Sequence, residues 1–230
     1  MNKKVISPIG IINTNYKEKF GIPRQSGRVE SATGTIKLLC RYNSLDSVRE
    51  IEQFSHLILI FDFNKAKENP SLLVRPPRLG GNKKVGVFAS RSPYRPNRLG
   101  LSIVKLDKVE EDGNNNVLIK VKGVDILDNT PIYDIKPYIP SADRIDDAFG
   151  GYAEQFTDYK LSVVISNELS EKIDKDSLNT IVDSLSEDPR PSYQQDGKVY
   201  GMRYANYNVK FIVENTILNV IDVEIIKQTK

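Results

Sequence analysis

The N-terminal part of the chain contains a series of strand patterns with almost no helical spacing between them. These patterns cover residues 5–13, 34–39, 56–63, 85–89, 99–109, 117–122 and 132–138, and only residues 46–54 have the spacing of a short helix. Residues 57–61 are apolar on both faces, which is typical of a strand covered on both sides, as in a barrel wall or a central strand. This pattern predicts a mainly β unit without a βαβ rhythm.

The pattern changes after a polar, acidic and Gly-rich stretch at residues 141–155. A strand is predicted at residues 159–165, and apolar residues at helical spacing predict a helix over 170–185. Three further strands are predicted at 199–204, 209–214 and 217–226. We therefore expect two domains, a β domain at residues 1–152 and a smaller α+β domain at residues 153–230.

Positive charge is concentrated in one segment of the chain. Residues 75–108 contain nine Lys or Arg and one acid, a local charge of +8, whereas the whole chain carries +3. Within this segment, the loop at residues 91–98 combines three Arg, two Pro and a Tyr. Such a patch is the electrostatic signature of a protein that binds a phosphate backbone. When the loop at residues 91–98 is considered by itself, the alternative to an anion-binding loop is a solvated turn between two flanking strands.

Several classes of protein are disfavoured by composition. No apolar window is long enough for a transmembrane helix, and the N-terminus is too short in its apolar part for a signal peptide. One His and one Cys cannot form a zinc site of the usual kind. Cys40 is expected to be buried and His56 to be structural. We expect a cytoplasmic protein with neither a membrane partner nor a metal.

Six short motifs occur in order and carry a resemblance to a known family. They are Pro23-Arg24-Gln25-Ser26-Gly27, Phe54-Ser55-His56-Leu57, Arg75-Pro76-Pro77-Arg78-Leu79-Gly80-Gly81-Asn82, Gly86-Val87-Phe88-Ala89-Ser90-Arg91-Ser92, Arg95-Pro96-Asn97 and Asp134-Ile135-Lys136-Pro137-Tyr138. In this order they resemble the TsaA-like family of β-barrel tRNA methyltransferases. Residues 188–193, Asp-Pro-Arg-Pro-Ser-Tyr, resemble the signature of that family's C-terminal domain.

The resemblance implies a fold, an activity and partners. It implies an antiparallel β-barrel that uses S-adenosyl-L-methionine to methylate the exocyclic amine of threonylcarbamoyladenosine, the nucleoside just 3′ of the anticodon. It also implies a homodimer that binds the anticodon stem-loop of tRNA. Two alternatives stay open at this point. One is a non-catalytic RNA-binding protein, and the other is a hydrolase of small phosphorylated substrates, for which no nucleophile or metal site is evident.

The resemblance also implies the residues of the site. The cofactor contacts would be Arg24, Gln25, Ser26, Phe63, Asn64, Arg91, Leu101, Asp128, Asn129, Thr130 and Pro131. Asn64, Arg98 and Asn129 stand where family members commonly have His, Pro and Gly. Because a cluster made only of Arg would repel the sulfonium of the cofactor, we expect the segment with Asp125, Asp128 and Asp134 to lie on the cofactor side. Phosphates of tRNA would contact Arg75, Arg78, Arg95 and Arg98.

The reaction needs positioning and the removal of one proton. Alternation along residues 132–138 predicts that Ile132, Asp134, Lys136 and Tyr138 share one strand face. On this ground, Asp134, Lys136 and Tyr138 are the candidate catalytic residues. The alternative for them is a structural ion pair beside a packed Tyr.

Overall fold

A computed structural model describes residues 4–67, 70–191 and 196–227 of the chain. The strands are β1 Gly10–Thr14, β2 Thr33–Leu38, β3 His56–Asp62, β4 Leu73–Val74, β5 Val85–Gly86, β6 Leu99–Glu111, β7 Val117–Lys122, β8 Thr130–Pro137, β9 Ser162–Val164, β10 Tyr200–Tyr204, β11 Tyr207–Glu214 and β12 Ile217–Ile225. The α-helices are α1 Pro140–Asp143, α2 Asn167–Ser170 and α3 Lys175–Ser186. None of the helices in the described ranges is long and apolar enough to cross a bilayer.

Six strands close into a barrel in the order β1-β2-β7-β6-β3-β8. Every neighbouring pair is antiparallel. The inward positions are filled by branched apolar side chains, and Ile12, Ile36, Leu57, Leu59 and Ile119 are fully buried. Closure removes the sheet edges that an open antiparallel sheet would expose. The predicted mainly β class and antiparallel barrel are confirmed.

The C-terminal residues form a four-stranded sheet in the order β10-β11-β12-β9, in which β9 runs parallel to β12. Helix α3 buries Ile181 and Leu185 against this sheet. Its N-terminus is capped by the Asp174 carboxylate, which accepts a hydrogen bond from the Ser177 N–H at 2.9 Å. One continuous apolar cluster joins the barrel to this sheet. The domain boundary between residues 152 and 153 stays a prediction.

The structure corrects three of the predicted elements. Residues 46–54 do not form one helix. They form two 3₁₀ turns, separated where Glu50 adopts a left-handed conformation with φ 67°. The strand predicted at 85–89 is only two residues long and continues into a 3₁₀ turn at Val87–Ala89. A long strand therefore supports the basic loop on its C-terminal side only. The helix predicted over 170–185 begins later, at Lys175.

Two expectations about exposure are wrong, and a third is confirmed. Cys40 is exposed, with φ 50°, and is not the buried filler that was expected. On β3, Leu57 and Leu59 are buried, but Ile58 and Ile60 on the outer face are only half-buried. The alternation on β7 is confirmed, since its odd-numbered residues are buried and the others are not.

Gly100 on β6 lies directly beneath an aromatic ring. It pairs with Phe61 across the β3–β6 ladder, and a Cβ added at Gly100 would lie 2.3 Å from the Phe61 ring. We expect Gly100→Ala to lower the free energy of unfolding by about 1–3 kcal/mol because the ring must shift within a packed barrel. Urea unfolding measures this change. Gly86→Ala is the matched control, since no heavy atom lies within 4 Å of the Cβ it would add. Equal unfolding midpoints for the two variants would contradict the packing argument.

Candidate active site

A cleft of about 820 Å³ opens beside the first half of β6. The ladder between β6 and β7 begins only at Lys105, so the β6 edge over residues 99–104 is not paired with β7. Residues 22–25, 61–66, 90–91, 93–97 and 125–127 line the cleft together with residues 99–102 of β6. The site thus lies where the barrel wall is locally open, and its floor is formed by barrel strands.

Seven of the eleven predicted cofactor contacts line this cleft. They are Arg24, Gln25, Phe63, Asn64, Arg91, Leu101 and Thr130. These residues come from five separate segments of the chain, so only the fold brings them together. The other four, Ser26, Asp128, Asn129 and Pro131, are not among the lining residues. Two of these four have clear supporting contacts.

Ser26 joins the loop before β2 to the open edge of β6. Its hydroxyl oxygen accepts a hydrogen bond from the Ile103 N–H at 3.1 Å. This bond replaces the missing β7 partner at that position and holds residues 24–25 against the cleft. Ser26 therefore positions the loop.

Asp128 fixes the turn that precedes β8. Its carboxylate accepts hydrogen bonds from Lys17 Nζ at 2.7 Å and from the Thr14 N–H at 2.9 Å. Burial raises the pKa of Asp128, but these donors outweigh burial and hold the pKa below its usual value. The next residue, Asn129, takes φ 58°, a conformation that Asn tolerates well. The Asn129 carbonyl faces Asn64 Nδ2 at 3.4 Å.

Arg24 is held from the C-terminal part of the chain. Its Nη2 donates to the carbonyl oxygens of Asp188 at 3.1 Å and Arg190 at 2.8 Å. The Arg24 Nε is buried and has no hydrogen-bond partner among the described residues. Burial lowers the pKa of Arg24 below its usual value, and the positive charge of Arg78 adds to this effect.

Two more arginines contact the same C-terminal segment. Arg78 donates to the Glu187 carbonyl at 2.9 Å, and its guanidinium lies 4.7 Å from the centre of the Tyr159 ring. Arg28 Nε donates to Glu187 Oε2 at 2.8 Å. Together with Arg24 they form an arginine clamp on residues 187–190. Arg78 was predicted to contact tRNA, whereas the structure gives it partners within the protein.

The clamped segment has a buried ion pair of its own. Arg190 Nε lies 3.0 Å from Asp188 Oδ1, and the two side chains are only 7% and 8% exposed. This pair belongs to the C-terminal signature noted in the sequence. Ser192 and Tyr193 of that signature lie outside the described residues.

The remaining predicted tRNA contacts differ in their exposure and in their contacts within the protein. Arg75 is exposed. Arg95 lines the cleft and donates to the Ser90 carbonyl at 3.2 Å. Arg98 takes φ 49°, and its carbonyl accepts from the Phe63 N–H at 2.8 Å. Arg91 donates to Gln25 Oε1, which ties the basic loop to the Arg24 loop.

The three predicted catalytic residues do not line the cleft. A β-bulge opposite Ile60 and Phe61 breaks the predicted alternation. The prediction that Asp134 and the residues after it share a strand face with Ile132 is therefore wrong. Ile132 is buried and pairs with Phe61, whereas Asp134 pairs with Ile60 on the outer face. Lys136 lies next to it, with its Nζ 3.1 Å from Asp134 Oδ2.

Both of these side chains are largely exposed, at 46% for Asp134 and 60% for Lys136. The third residue, Tyr138, packs edge-on to the His56 ring with centroids 6.4 Å apart. His56 Nδ1 in turn lies 2.9 Å from Ser55 Oγ. The geometry of Asp134, Lys136 and Tyr138 corresponds to the alternative weighed above, a surface ion pair beside a packed Tyr.

Asp125 lines the cleft but was not among the predicted contacts. It is one of two acids there, the other being Asp62, and its carboxylate accepts a hydrogen bond from Ser102 Oγ at 2.5 Å. Its sequence signal is an acid between two apolar residues, Val124 and Ile126, both of which are buried. Within the described part of the chain, no group of three or more His, Cys, Asp or Glu is placed to hold a metal.

Family models, related proteins and a solved structure that match this chain all indicate a methyltransferase. The model of the tRNA-methyltransferase O N-terminal domain matches residues 11–144, and that of the TrmO C-terminal domain matches residues 158–226. The tRNA (adenine(37)-N6)-methyltransferase of Escherichia coli (strain K12) is 40% identical over 228 residues, covering 94% of this chain and 96% of that protein. A Pseudomonas aeruginosa protein named "Putative S-adenosylmethionine-dependent methyltransferase RcsF" is 39% identical, covering 89% of this chain and 90% of that protein. The crystal structure of TrmO from Pseudomonas aeruginosa is 32% identical and has a TM-score of 0.79, covering 98% of each chain.

The buried Asp188–Arg190 pair gives a stability prediction. We expect Asp188→Asn to lower the free energy of unfolding by about 3 kcal/mol, because it leaves the Arg190 charge buried without this carboxylate. Urea unfolding is the measurement. Asp46→Asn is the control, since it breaks the Arg49–Asp46 ion pair, whose side chains are 73% and 78% exposed. An exposed pair contributes little to stability, so the control should unfold as the wild type does. A wild-type midpoint for Asp188→Asn would contradict a structural role for the pair.

Proposed function

This chain belongs to the tRNA-methyltransferase O family, and from that membership we propose that it methylates the exocyclic N6 amine of threonylcarbamoyladenosine next to the anticodon of tRNA. Its class is that of the S-adenosylmethionine-dependent tRNA methyltransferases. The observation that carries the finer proposal is a cleft lined both by two half-buried acids, Asp62 and Asp125, and by basic side chains such as Arg91 and Arg95. A cationic methyl donor and an anionic RNA substrate require such a division of charge.

The residues of the cleft fit the cofactor. Phe63 and Leu101 offer apolar surface, and the unpaired backbone of β6 beside Leu101 offers hydrogen-bonding groups to a purine edge. Arg91 supplies a guanidinium for the carboxylate of the donor's amino-acid part. The orphaned Arg24 Nε is a donor already buried at the cleft. When bound, S-adenosylmethionine supplies a methyl group activated by a sulfonium.

Acids within the cleft favour that cation. Asp62 and Asp125 are the carboxylates among the residues that line it. Two arginines that could oppose a sulfonium, Arg24 and Arg78, direct their Nη2 groups to C-terminal carbonyls. The clamp therefore both fixes the loop and reduces the positive charge that the cofactor meets.

The substrate requires cations at the rim. We assign the exposed Arg75 and the cleft-lining Arg95 to contacts with tRNA phosphates, and Arg95 is also a candidate partner for the threonyl carboxylate of the modified nucleoside. Arg98 shapes the basic loop through its backbone. Arg78 is already engaged in the clamp, so we assign it a structural role.

We also propose that the protein acts as a homodimer. Three large apolar side chains near the cleft are exposed, Leu72 at 83%, Leu73 at 51% and Phe88 at 78%. Contiguous exposed apolar surface is typical of an interface between proteins. A second copy covering these residues would also shield the cleft from water.

The proposed reaction gives a direct test. We expect the purified protein, given S-adenosylmethionine and tRNA containing threonylcarbamoyladenosine, to convert that nucleoside to its N-methylated form, because the donor and the N6 amine would meet in the cleft. Mass spectrometry of digested nucleosides detects the product. Otherwise identical tRNA carrying unmodified adenosine is the control for the substrate. Tight tRNA binding without any methylated product would favour the non-catalytic RNA-binding alternative.

The salt dependence of tRNA binding tests the assignment of Arg75 and Arg95 to phosphate contacts. We expect Arg75→Gln and Arg95→Gln each to reduce the slope of log K against log salt by about 0.7 to 0.9, because each would remove one phosphate contact. Fluorescence anisotropy with labelled tRNA measures the slope. The control is Arg49→Gln, which removes an exposed Arg that is paired with Asp46. Unchanged slopes in both rim variants would show that the phosphates bind elsewhere.

A further inference from the structure

Asp125 is an ionisable group of the cleft that has no assigned role in proton transfer so far. It is half-buried between the fully buried Val124 and the buried Ile126, and it lines the cleft. A carboxylate that has lost part of its solvent is costly unless it is hydrogen-bonded. An acid kept in a cleft at this cost favours a chemical role over a packing role.

A donor on β6 fixes the orientation of Asp125. Ser102 donates its hydroxyl hydrogen to Oδ1 at 2.5 Å. The backbone N–H groups of Ser26 and of Asp125 itself lie close enough to lower the pKa of this carboxyl. An ionised carboxylate has about four acceptor sites, so it keeps acceptor capacity beyond the Ser102 bond. The group is thus held in place and still able to accept a proton.

The reaction needs such a group. The N6 nitrogen of a carbamoylated adenosine is a weak nucleophile because its lone pair is delocalised, and its N–H proton must leave as the new bond forms. A positioned base typically contributes 10²- to 10⁴-fold to such a step. His56 does not line the cleft, and Asp134 lies on the outer face of the barrel.

We propose that Asp125 is the proton acceptor of the methyl transfer, an inference that rests on the proposed function. The N6 nitrogen forms its bond to the methyl carbon while the methyl–sulfur bond breaks and leaves its electron pair on sulfur. The N6 proton passes to the Asp125 carboxylate and is later released to water. Charge balances, because one cation and one carboxylate become two neutral groups.

The electrostatic surroundings of Asp125 agree with this role. Burial raises its pKa above the usual value, while the Ser102 and Ser26 hydrogen bonds and the charge of Arg91 offset part of that rise. Tyr16 also faces it, and burial raises the pKa of Tyr16, with a smaller contribution from Asp125. A carboxyl with a raised pKa is a stronger base than an exposed Asp.

The test compares Asp125→Asn with the wild type. We expect kcat to fall by about 10²- to 10⁴-fold and the rise of kcat with pH through the Asp125 pKa to disappear. The affinity for S-adenosylmethionine, measured by calorimetry, should fall by no more than about tenfold, and so by far less than kcat, because Asp62 remains as the second acid of the cleft. A large loss of affinity with unchanged kcat would make Asp125 a cofactor contact and overturn the proposal.

A second variant and a stability measurement keep the test independent of folding defects. Ser102→Ala retains the Asp125 carboxylate but removes a hydrogen bond that lowers its pKa, so the ascending limb of the pH–kcat profile should move to higher pH.

The stability measurement uses the raised pKa of Asp125. A raised pKa in the folded state means that the free energy of unfolding falls as pH rises through that pKa. Asp125→Asn should therefore unfold no earlier than the wild type at pH 8, whereas a purely structural Asp would make the variant less stable.

Failure of this inference is distinguishable from failure of the proposed function. A wild-type protein that neither binds S-adenosylmethionine nor methylates the modified tRNA refutes the function itself. An active wild type, with Asp125→Asn retaining both kcat and the pH profile, overturns only the role of Asp125. Asp134→Asn tests the competing assignment. If this variant, and not Asp125→Asn, loses the ascending limb of the pH–kcat profile, the proton acceptor is Asp134 on the outer face of the barrel.

Discussion

The architecture of the site depends on the burial of the Arg24 guanidinium against the C-terminal segment. Its Nη2 reaches the carbonyl oxygens of Asp188 and Arg190, while Arg78 and Arg28 hold Glu187 from the same side. A buried guanidinium must have partners, so the cleft loop cannot take this position unless the C-terminal segment is folded beside it. The segment after α3 thus contributes to the cleft without lining it. Its buried Asp188–Arg190 pair fixes the backbone whose carbonyls Arg24 requires.

The barrel explains why the cleft lies at β6. β6 pairs with β3 along residues 99–105, but it is longer than its β7 partner, so its other edge is not paired with β7 over residues 99–104. Gly100 lets Phe61 lie across the strand there, and Phe61 in turn contacts Phe63 edge-on at 5.1 Å. An open strand edge beside aromatic side chains is a local exception to barrel closure. Ser26 closes part of it, and the rest is available to a ligand.

Local patterns in the sequence predict the strands well because side-chain alternation is a local property. The odd-numbered residues of β7 are recognisable in this way, as are Ile181 and Leu185 on α3. The site is less predictable. Arg78 and Arg95 both stand in Pro-containing basic loops, and what separates them is a carbonyl of Glu187, 109 residues away from Arg78. The bulge opposite Ile60 and Phe61 places Asp134 on the outer face of the barrel, and the local sequence pattern of β8 does not predict this bulge. Asp125 has a local signal, an acid between apolar neighbours, but only the fold brings Ser102 to it.

Charge in the cleft follows depth, and this ordering suits two ligands of opposite sign. In the cleft, the C-terminal carbonyls engage Arg24, and Asp125 contributes a half-buried carboxylate held by Ser102. Arg95 lines the cleft and Arg75 is exposed, and both belong to a segment whose local charge is +8 in a chain of +3. Interactions of half-buried groups are screened less than those of exposed groups, so this acid can offset part of the exposed positive charge. A cationic donor is therefore favoured at depth, and a polyanion is favoured at the entrance. If the clamp released Arg24, both preferences would weaken together, because a free guanidinium would add positive charge at the floor and loosen the loop that carries Gln25 and Ser26.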